Sequence, residues 1–282
     1  MRIASTTVAL SAGLAAWAMT GAAVAEEVLA GKPTPGATSL QRPVTPIAHE
    51  MQWMDNFLLV IITLITIFVT GLLAYTVWRF RKENNPNPPQ QFTHNAKLEV
   101  IWTAVPVLIL VIIAVPSLRL LFNQLDVPEP DVTIKATGYQ WYWGFEYPEH
   151  DIDFTAIMLQ KDELEEFGYQ PDEYLLATDT RMVVPVNANV HVLTTAADVI
   201  HNFALPSFGL KMDAIPGRLN ETWFRAEEIG TYFGQCSELC GINHAYMPIT
   251  IEVVSQEDYD AWVAEQVAAK NGETDVAEVT AE

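Results

Sequence analysis

Hydrophobic and polar positions are distributed very unevenly along the chain. Residues 57–78 carry no charge at all, and residues 100–122 carry only Arg119, near the end of the run. As helices rising about 1.5 Å per residue, each stretch is roughly 33 Å long, enough to cross a bilayer core. Neither has the polar face that a core helix of a soluble domain would show, so both are predicted to span a membrane. Pro106 and Pro116 fall inside the second run and are tolerable if neighbouring groups satisfy the freed carbonyls. A third, weaker apolar stretch, residues 1–25, combines Arg2 with the small-residue ending Ala23, Val24 and Ala25, the form of a signal peptide cut before Glu26.

The loop between the two long runs holds Arg79, Arg81, Lys82 and Lys97 against Glu83 and Glu99. A net positive loop stays cytoplasmic, which leaves an N-terminal segment (26–56) and everything after the hairpin (57–122) exported. Beyond residue 122 the period changes. Residues 131–137, 181–186, 190–194 and 249–254 are short, β-branched and partly alternating, with Gly and Pro between them. They predict an all-β domain over 123–270, a Greek-key sandwich or barrel. In 139–147 every odd position is aromatic, the pattern of one strand face. Residues 161–174 read as an acidic, loop-like insertion. Ser255 and Asp258 have the form of a helix cap before Tyr259, Trp262, Val263 and Val267, and 271–282 read as an acidic tail.

Charge sharpens this picture. The chain has 282 residues, 15 Lys and Arg against 35 Asp and Glu, and a formal charge of -20. Most of the imbalance is in the exported domain, where 7 cations from residue 123 onward face 29 acids. Nucleic acid is a poor partner for such a surface, whereas a basic protein would be steered to it at long range.

The chemistry is concentrated in residues 236–247. Cys236, Cys240, His244 and Met247 fall within twelve residues, and His201 lies upstream. A disulfide between the only two cysteines would close a very short ring with little entropic gain, and would leave the His and Met unexplained. Zinc would make poor use of Met. Two thiolates, two imidazoles and a thioether form a soft set that suits copper. One blue-copper ion needs a single Cys, so the second thiolate suggests two bridged coppers, each ended by one His, with Met247 and a backbone carbonyl in weak axial positions. A site so fully ligated has no place for substrate and is built to pass electrons.

At this point the residues resemble a known family, subunit II of the haem–copper cytochrome c oxidases. The likeness runs through the hairpin and the motifs GYQWYW (138–143), DVIH (198–201), LKMDAIPGR (210–218) and GQCSELC (234–240). It implies a cupredoxin-like domain with a binuclear copper A centre held by His201, Cys236, the main-chain carbonyl of Glu238, Cys240, His244 and Met247. It also implies a Mg or Mn ion reached by the Glu238 side chain and shared with the large subunit. By the same resemblance Trp141 is the electron entry point, Trp143 packs near the copper or the large subunit, and Glu146 and Asp198 belong to the cytochrome c docking face. Glu99 stands at the mouth of a proton-uptake path, and Asp213 and Arg218 contact the large subunit. The implied activity is acceptance of electrons from cytochrome c and their delivery to haem in the large catalytic subunit, which reduces oxygen to water and pumps protons. The implied location is the bacterial inner membrane, multi-pass, in company with the other oxidase subunits. There is no haem-attachment C-x-x-C-H motif. A quinol-oxidase subunit would lack the copper ligands, and nitrous oxide reductase would need a further catalytic domain. A membrane-anchored copper chaperone shares the ligand types but would leave its site under-coordinated.

Overall fold

The computed structural model describes residues 31–84 and 94–280. The leader expected over 1–25 lies outside them. Both apolar runs fall within helices longer than the runs themselves, α1 (Pro46–Arg79) and α2 (Ala96–Leu125). Each start is specified locally. Thr45 caps α1, its hydroxyl accepting from the Ala48 amide with Pro46 following, and the Asn95 side chain caps α2 by accepting from the Lys97 and Leu98 amides. The spanning surfaces are exposed over their whole hydrophobic windows, as expected of helices that face lipid or partner helices. At 34 residues α1 is about 51 Å long, well over a bilayer core, and its first turns dock on the exported domain. There Thr45 also donates to the Phe208 carbonyl at 2.8 Å. Gly209, at φ +68°, lets α1 approach, because a Cβ at that position would lie 3.0 Å from the Ala48 Cα.

The exported domain is a sandwich of two five-stranded mixed sheets. Its strands are β1 (Val132–Tyr139), β2 (Tyr142–Tyr147), β3 (Ile152–Ala156), β4 (Met182–Pro185), β5 (Val190–Ala196), β6 (His201–Leu205), β7 (Leu210–Ala214), β8 (Asn220–Phe224), β9 (Gly230–Cys236) and β10 (Pro248–Val254). One sheet has the order β3-β2-β1-β5-β8 and the other β4-β10-β9-β6-β7. The β1/β5 and β4/β10 pairs are parallel, and the remaining neighbours antiparallel. Alternation turns one side of each strand inward. Ile134, Ala136, Trp143, Phe145 and Tyr147 from the first sheet meet Phe203, Leu205, Ile249, Ile251 and Val253 from the second in one core. A closing helix, α3 (Gln256–Thr280), starts at Ser255, whose hydroxyl accepts from the Asp258 amide, and lays Tyr259, Trp262, Val263 and Val267 on this core.

The aromatic block corrects one expectation. Tyr139 to Tyr147 is not a single strand with one aromatic face. The chain reverses at Gln140 and Trp141, and Tyr139 pairs across the turn with Tyr142, the two rings stacked 4.7 Å apart. Only Trp143, Phe145 and Tyr147 keep the odd-position burial. The reversal places Trp141 at a sheet end, half-buried.

The insertion is also more ordered than a loop. Leu159, Leu164, Tyr169 and Ala177 form a small core against Phe233 of β9. Arg181 holds it down, stacked 4.5 Å over the Tyr169 ring and donating to the Tyr169 hydroxyl, the Phe167 carbonyl and Glu252.

Candidate metal centre

Four pieces of chain meet at one end of the sandwich. His201 begins β6, Cys236 ends β9, and Met247 immediately precedes β10. Antiparallel pairing of β9 with β10 draws the connecting loop closed, with the Cys236 amide donating to the Met247 carbonyl at 3.2 Å. Cys240 and His244 lie on that loop. The β1–β2 turn supplies the fourth piece, Gln140 and Trp141.

The donor atoms converge. Cys236 Sγ lies 3.8 Å from Cys240 Sγ, 3.9 Å from His201 Nδ1 and 3.3 Å from the Glu238 carbonyl oxygen. Cys240 Sγ lies 3.6 Å from His244 Nδ1 and 3.5 Å from Met247 Sδ. Both cysteines are free and buried, and their separation is far beyond the roughly 2.05 Å of a disulfide. The ligand atoms of His201, Cys236 and Cys240 all lie within 4.8 Å of one another, close enough to hold a metal together. Two buried sulfurs with an imidazole nitrogen 3.9 Å from one and 3.6 Å from the other form a donor set that suits a soft metal. The sequence-derived ligand set is therefore brought together as a set, including the Glu238 carbonyl.

Protonation favours cation binding unequally at the two thiols. Burial pushes the Cys236 thiol up, but interactions with His201, the Asn202 and Glu238 main chain and His244 bring it down to about 7. At Cys240 burial is reinforced by the Cys236 thiolate, and the thiol is pushed up to about 12. A dithiol of this kind gives up its first proton readily and keeps the second until a cation replaces it.

The surroundings of His201 are equally specific. Its ring is fully buried, edge-on to Trp143 with centroids 6.1 Å apart. Gly138 makes room for it, because a Cβ there would lie 2.8 Å from the ring carbon Cδ2. Asp198 takes the His201 Nε2 at 2.9 Å and also accepts from the Gln140 and Val199 amides. Burial pushes the Asp198 carboxyl up, yet these bonds outweigh it and hold it below the ordinary range. With Nε2 on a carboxylate, His201 presents Nδ1 to the sulfurs, the usual arrangement behind a metal-bound imidazole.

Gln140 and Trp141 close the other side. The Gln140 side chain donates to the Cys240 carbonyl at 2.8 Å, and the Trp141 indole N–H points to the same oxygen at 3.3 Å. Nothing in the sequence pointed to the Gln140 contact. Gly138 did leave a signal, since a glycine inside a strand marks close approach. Other residues singled out in the sequence are not part of this cluster. Glu146 sits on β2 and pairs with Lys135 at 2.7 Å. Glu238 has an exposed side chain with no bonded partner among the described residues, and Glu99 lies exposed in the first turn of α2. Asp213 accepts from the buried Asn202 amide at 2.7 Å.

Comparisons with known proteins agree along the chain. Residues 132–254 match the family described as cytochrome C oxidase subunit II, periplasmic domain, and residues 33–120 match its transmembrane domain. A cytochrome c oxidase subunit 2 from Cereibacter sphaeroides is 51% identical over 280 residues, covering 93% of this chain and 92% of the relative. A probable cytochrome c oxidase subunit 2 from Rickettsia felis is 51% identical over 252 residues, covering 88% of this chain and 78% of the relative. Among solved structures, the periplasmic domain of subunit II of cytochrome oxidase from Bradyrhizobium japonicum is 52% identical with a TM-score of 0.46, covering 50% of this chain and 96% of that one.

Proposed function

The chain belongs to the cytochrome c oxidase subunit II family, and we propose that it is the electron-accepting subunit, taking electrons from cytochrome c at a binuclear copper A centre and passing them to haem in the large subunit. It is a subunit of cytochrome c oxidase, a haem–copper terminal oxidase. The observation that supports the finer reading is the convergence of four donors about two cysteine sulfurs 3.8 Å apart. Copper bound there supplies one-electron chemistry without a ligand being gained or lost.

The chain's own residues do the rest. Cys236, Cys240, His201 and His244 would hold the copper as its strong donors, with Met247 and the Glu238 carbonyl as the weaker ones. Asp198 fixes the ring of His201, and the strands on either side hold the donors still, which keeps reorganisation small. Trp141 offers a route inward from the half-buried rim, because its indole N–H touches the carbonyl of a bridging cysteine. Glu146 and Asp198 belong to an acidic docking face for cytochrome c, although each already has a partner of its own. The exposed Glu238 carboxylate would help to hold a Mg or Mn ion shared with the large subunit. Glu99, at the charged cytoplasmic end of α2, serves a proton-uptake path. The protein sits in the bacterial inner membrane with both the N-terminal segment and the sandwich on the periplasmic side, and oxygen reduction and proton pumping belong to the assembled complex.

Copper analysis and EPR of the loaded protein test this reading. Two coppers per chain are expected, with the hyperfine pattern of one electron shared by two copper nuclei. One copper per chain, or the pattern of an isolated Cu(II), would sink the binuclear centre. Cys240→Ser should abolish the shared-electron signal, because a hydroxyl does not replace a bridging thiolate.

A further inference from the structure

At the periplasmic end of the hairpin, α1 and α2 separate to leave a cleft of about 720 Å³. Its floor and walls are apolar, with Trp53 and Phe57 stacked 5.4 Å apart on one helix and Ile112, Val115 and Pro116 on the other. Its polar lining is Glu50 on α1 and Arg119 on α2, together with His49, whose ring is engaged by Glu227 at 3.0 Å. No ion pair joins Glu50 and Arg119, and Arg119 makes none with any group among the described residues. Among the described residues the Glu50 side chain is held by the neutral Asn123 amide alone, 2.9 Å from one oxygen and 3.1 Å from the other. An unpaired guanidinium in a spanning helix needs an anion at the interface, and the carboxylate opposite it favours a cation.

We propose that this cleft is a binding site for a zwitterionic aminophospholipid, a phosphatidylethanolamine, distinct from the copper centre. Arg119 receives the phosphate as a bidentate donor, and Glu50 receives the primary ammonium. One acyl chain descends between the helices. Glu50 to Phe57 on α1 and Arg119 to Ile112 on α2 each cover seven positions, a depth of about 10 Å, so the apolar walls continue equally on both sides below the head group. Trp53 stands beside the head group at the level where amphipathic aromatics line a membrane surface. A lipid with phosphate alone would leave Glu50 facing a like charge.

The test uses the intact oxidase complex in nanodiscs, with phosphatidylethanolamine and phosphatidylglycerol probes that carry a photoreactive acyl chain. The ethanolamine probe should label the α1 peptide containing Trp53 and the α2 peptide containing Ile112. Arg119→Gln and Glu50→Gln should each lower that labelling roughly tenfold, the loss expected of one charge-assisted contact. Arg119→Lys should recover only part of it, because an ammonium keeps the charge but not the two-pronged contact. Copper content serves as the assembly control, and if Arg119→Gln does not assemble, Glu50→Gln carries the test. Equal labelling by the glycerol probe, with no dependence on Glu50, would replace the aminophospholipid with an anionic lipid and overturn the proposal. Absence of lipid label at either peptide would overturn it too, and would leave the cleft to a helix of another subunit.

Discussion

Asp198 shows how one side chain can serve a site without touching what the site holds. Its carboxylate takes the far nitrogen of His201 and two main-chain amides, so it fixes the ring, its tautomer and the Gln140 turn together. Asp198→Asn keeps the shape but weakens the acceptor, and a partner behind a metal-bound His is worth about 10–100-fold in metal affinity. Copper titration should show a loss of that order, with an altered EPR spectrum and an intact β-sheet circular dichroism signal. Unchanged copper affinity would return Asp198 to a surface acid. Trp141 calls for a different readout. Trp141→Phe keeps an aromatic ring on the rim and removes the N–H that points to the Cys240 carbonyl at 3.3 Å. Pre-steady-state copper reduction at saturating cytochrome c should slow while the apparent affinity stays nearly constant. The reverse outcome, weaker binding at an unchanged limiting rate, would make Trp141 a docking anchor. The clustering of the donor side chains was legible in the sequence because four of them are local, packed between Cys236 and Met247. The role of Asp198 was not, because it depends on which way the His201 ring faces.

At the level of elements, what the sequence revealed depended on whether the deciding interaction was local. The two long apolar runs, with one charge in total, read as spanning helices from the sequence alone, and the caps Thr45 and Asn95 adjoin the helices that contain them. Strands β1, β4, β5 and β10 announced themselves by β-branched residues. The β1–β2 turn was hidden because the aromatic alternation continues through it, and a period of two does not reveal where a strand reverses. The order of the insertion was hidden for another reason. Its anchors are distant in sequence, with Arg181 reaching Glu252 and Phe233 closing the small core from β9. Lys32, near the start of the described chain, adds ion pairs to Asp172 and Glu173 at 2.8 and 3.1 Å. Arg181→Met should therefore loosen this element selectively. The hydrogen bonds and ring contact it removes are worth about 1–3 kcal/mol together. Limited proteolysis should cut within 160–176 much faster than in the parent chain, while the copper spectrum is retained. Uniform destabilisation of the whole sandwich, or no change in cutting, would show that the insertion does not open on its own.

Over the whole molecule the governing fact is charge asymmetry. Seven cations face 29 acids from residue 123 onward, an excess of 22, while the connection between the spanning helices is basic. No single acid holds this field. Glu146 is already paired with Lys135 at 2.7 Å, and Asp198 is occupied with His201 at 2.9 Å. Steering of a basic cytochrome c is accordingly expected to be a collective property, with a potential that decays over about 8 Å at physiological salt. The association rate, followed by stopped flow, should fall steeply between low and physiological ionic strength. Glu146→Gln alone should change it only slightly, because removing that carboxylate releases the Lys135 cation and shifts the net charge by one among many. Neutralising several exposed acids of the insertion together, such as Glu163, Glu165 and Glu166, tests whether the field acts at a distance. Removing part of a diffuse field lowers the rate at low salt and leaves the limiting rate of copper reduction untouched. Removing a contact would instead weaken the bound complex at every salt concentration, because short-range pairs are little screened. A rate that does not depend on salt would end the electrostatic account, and the acidity of this domain would then serve only to keep it soluble.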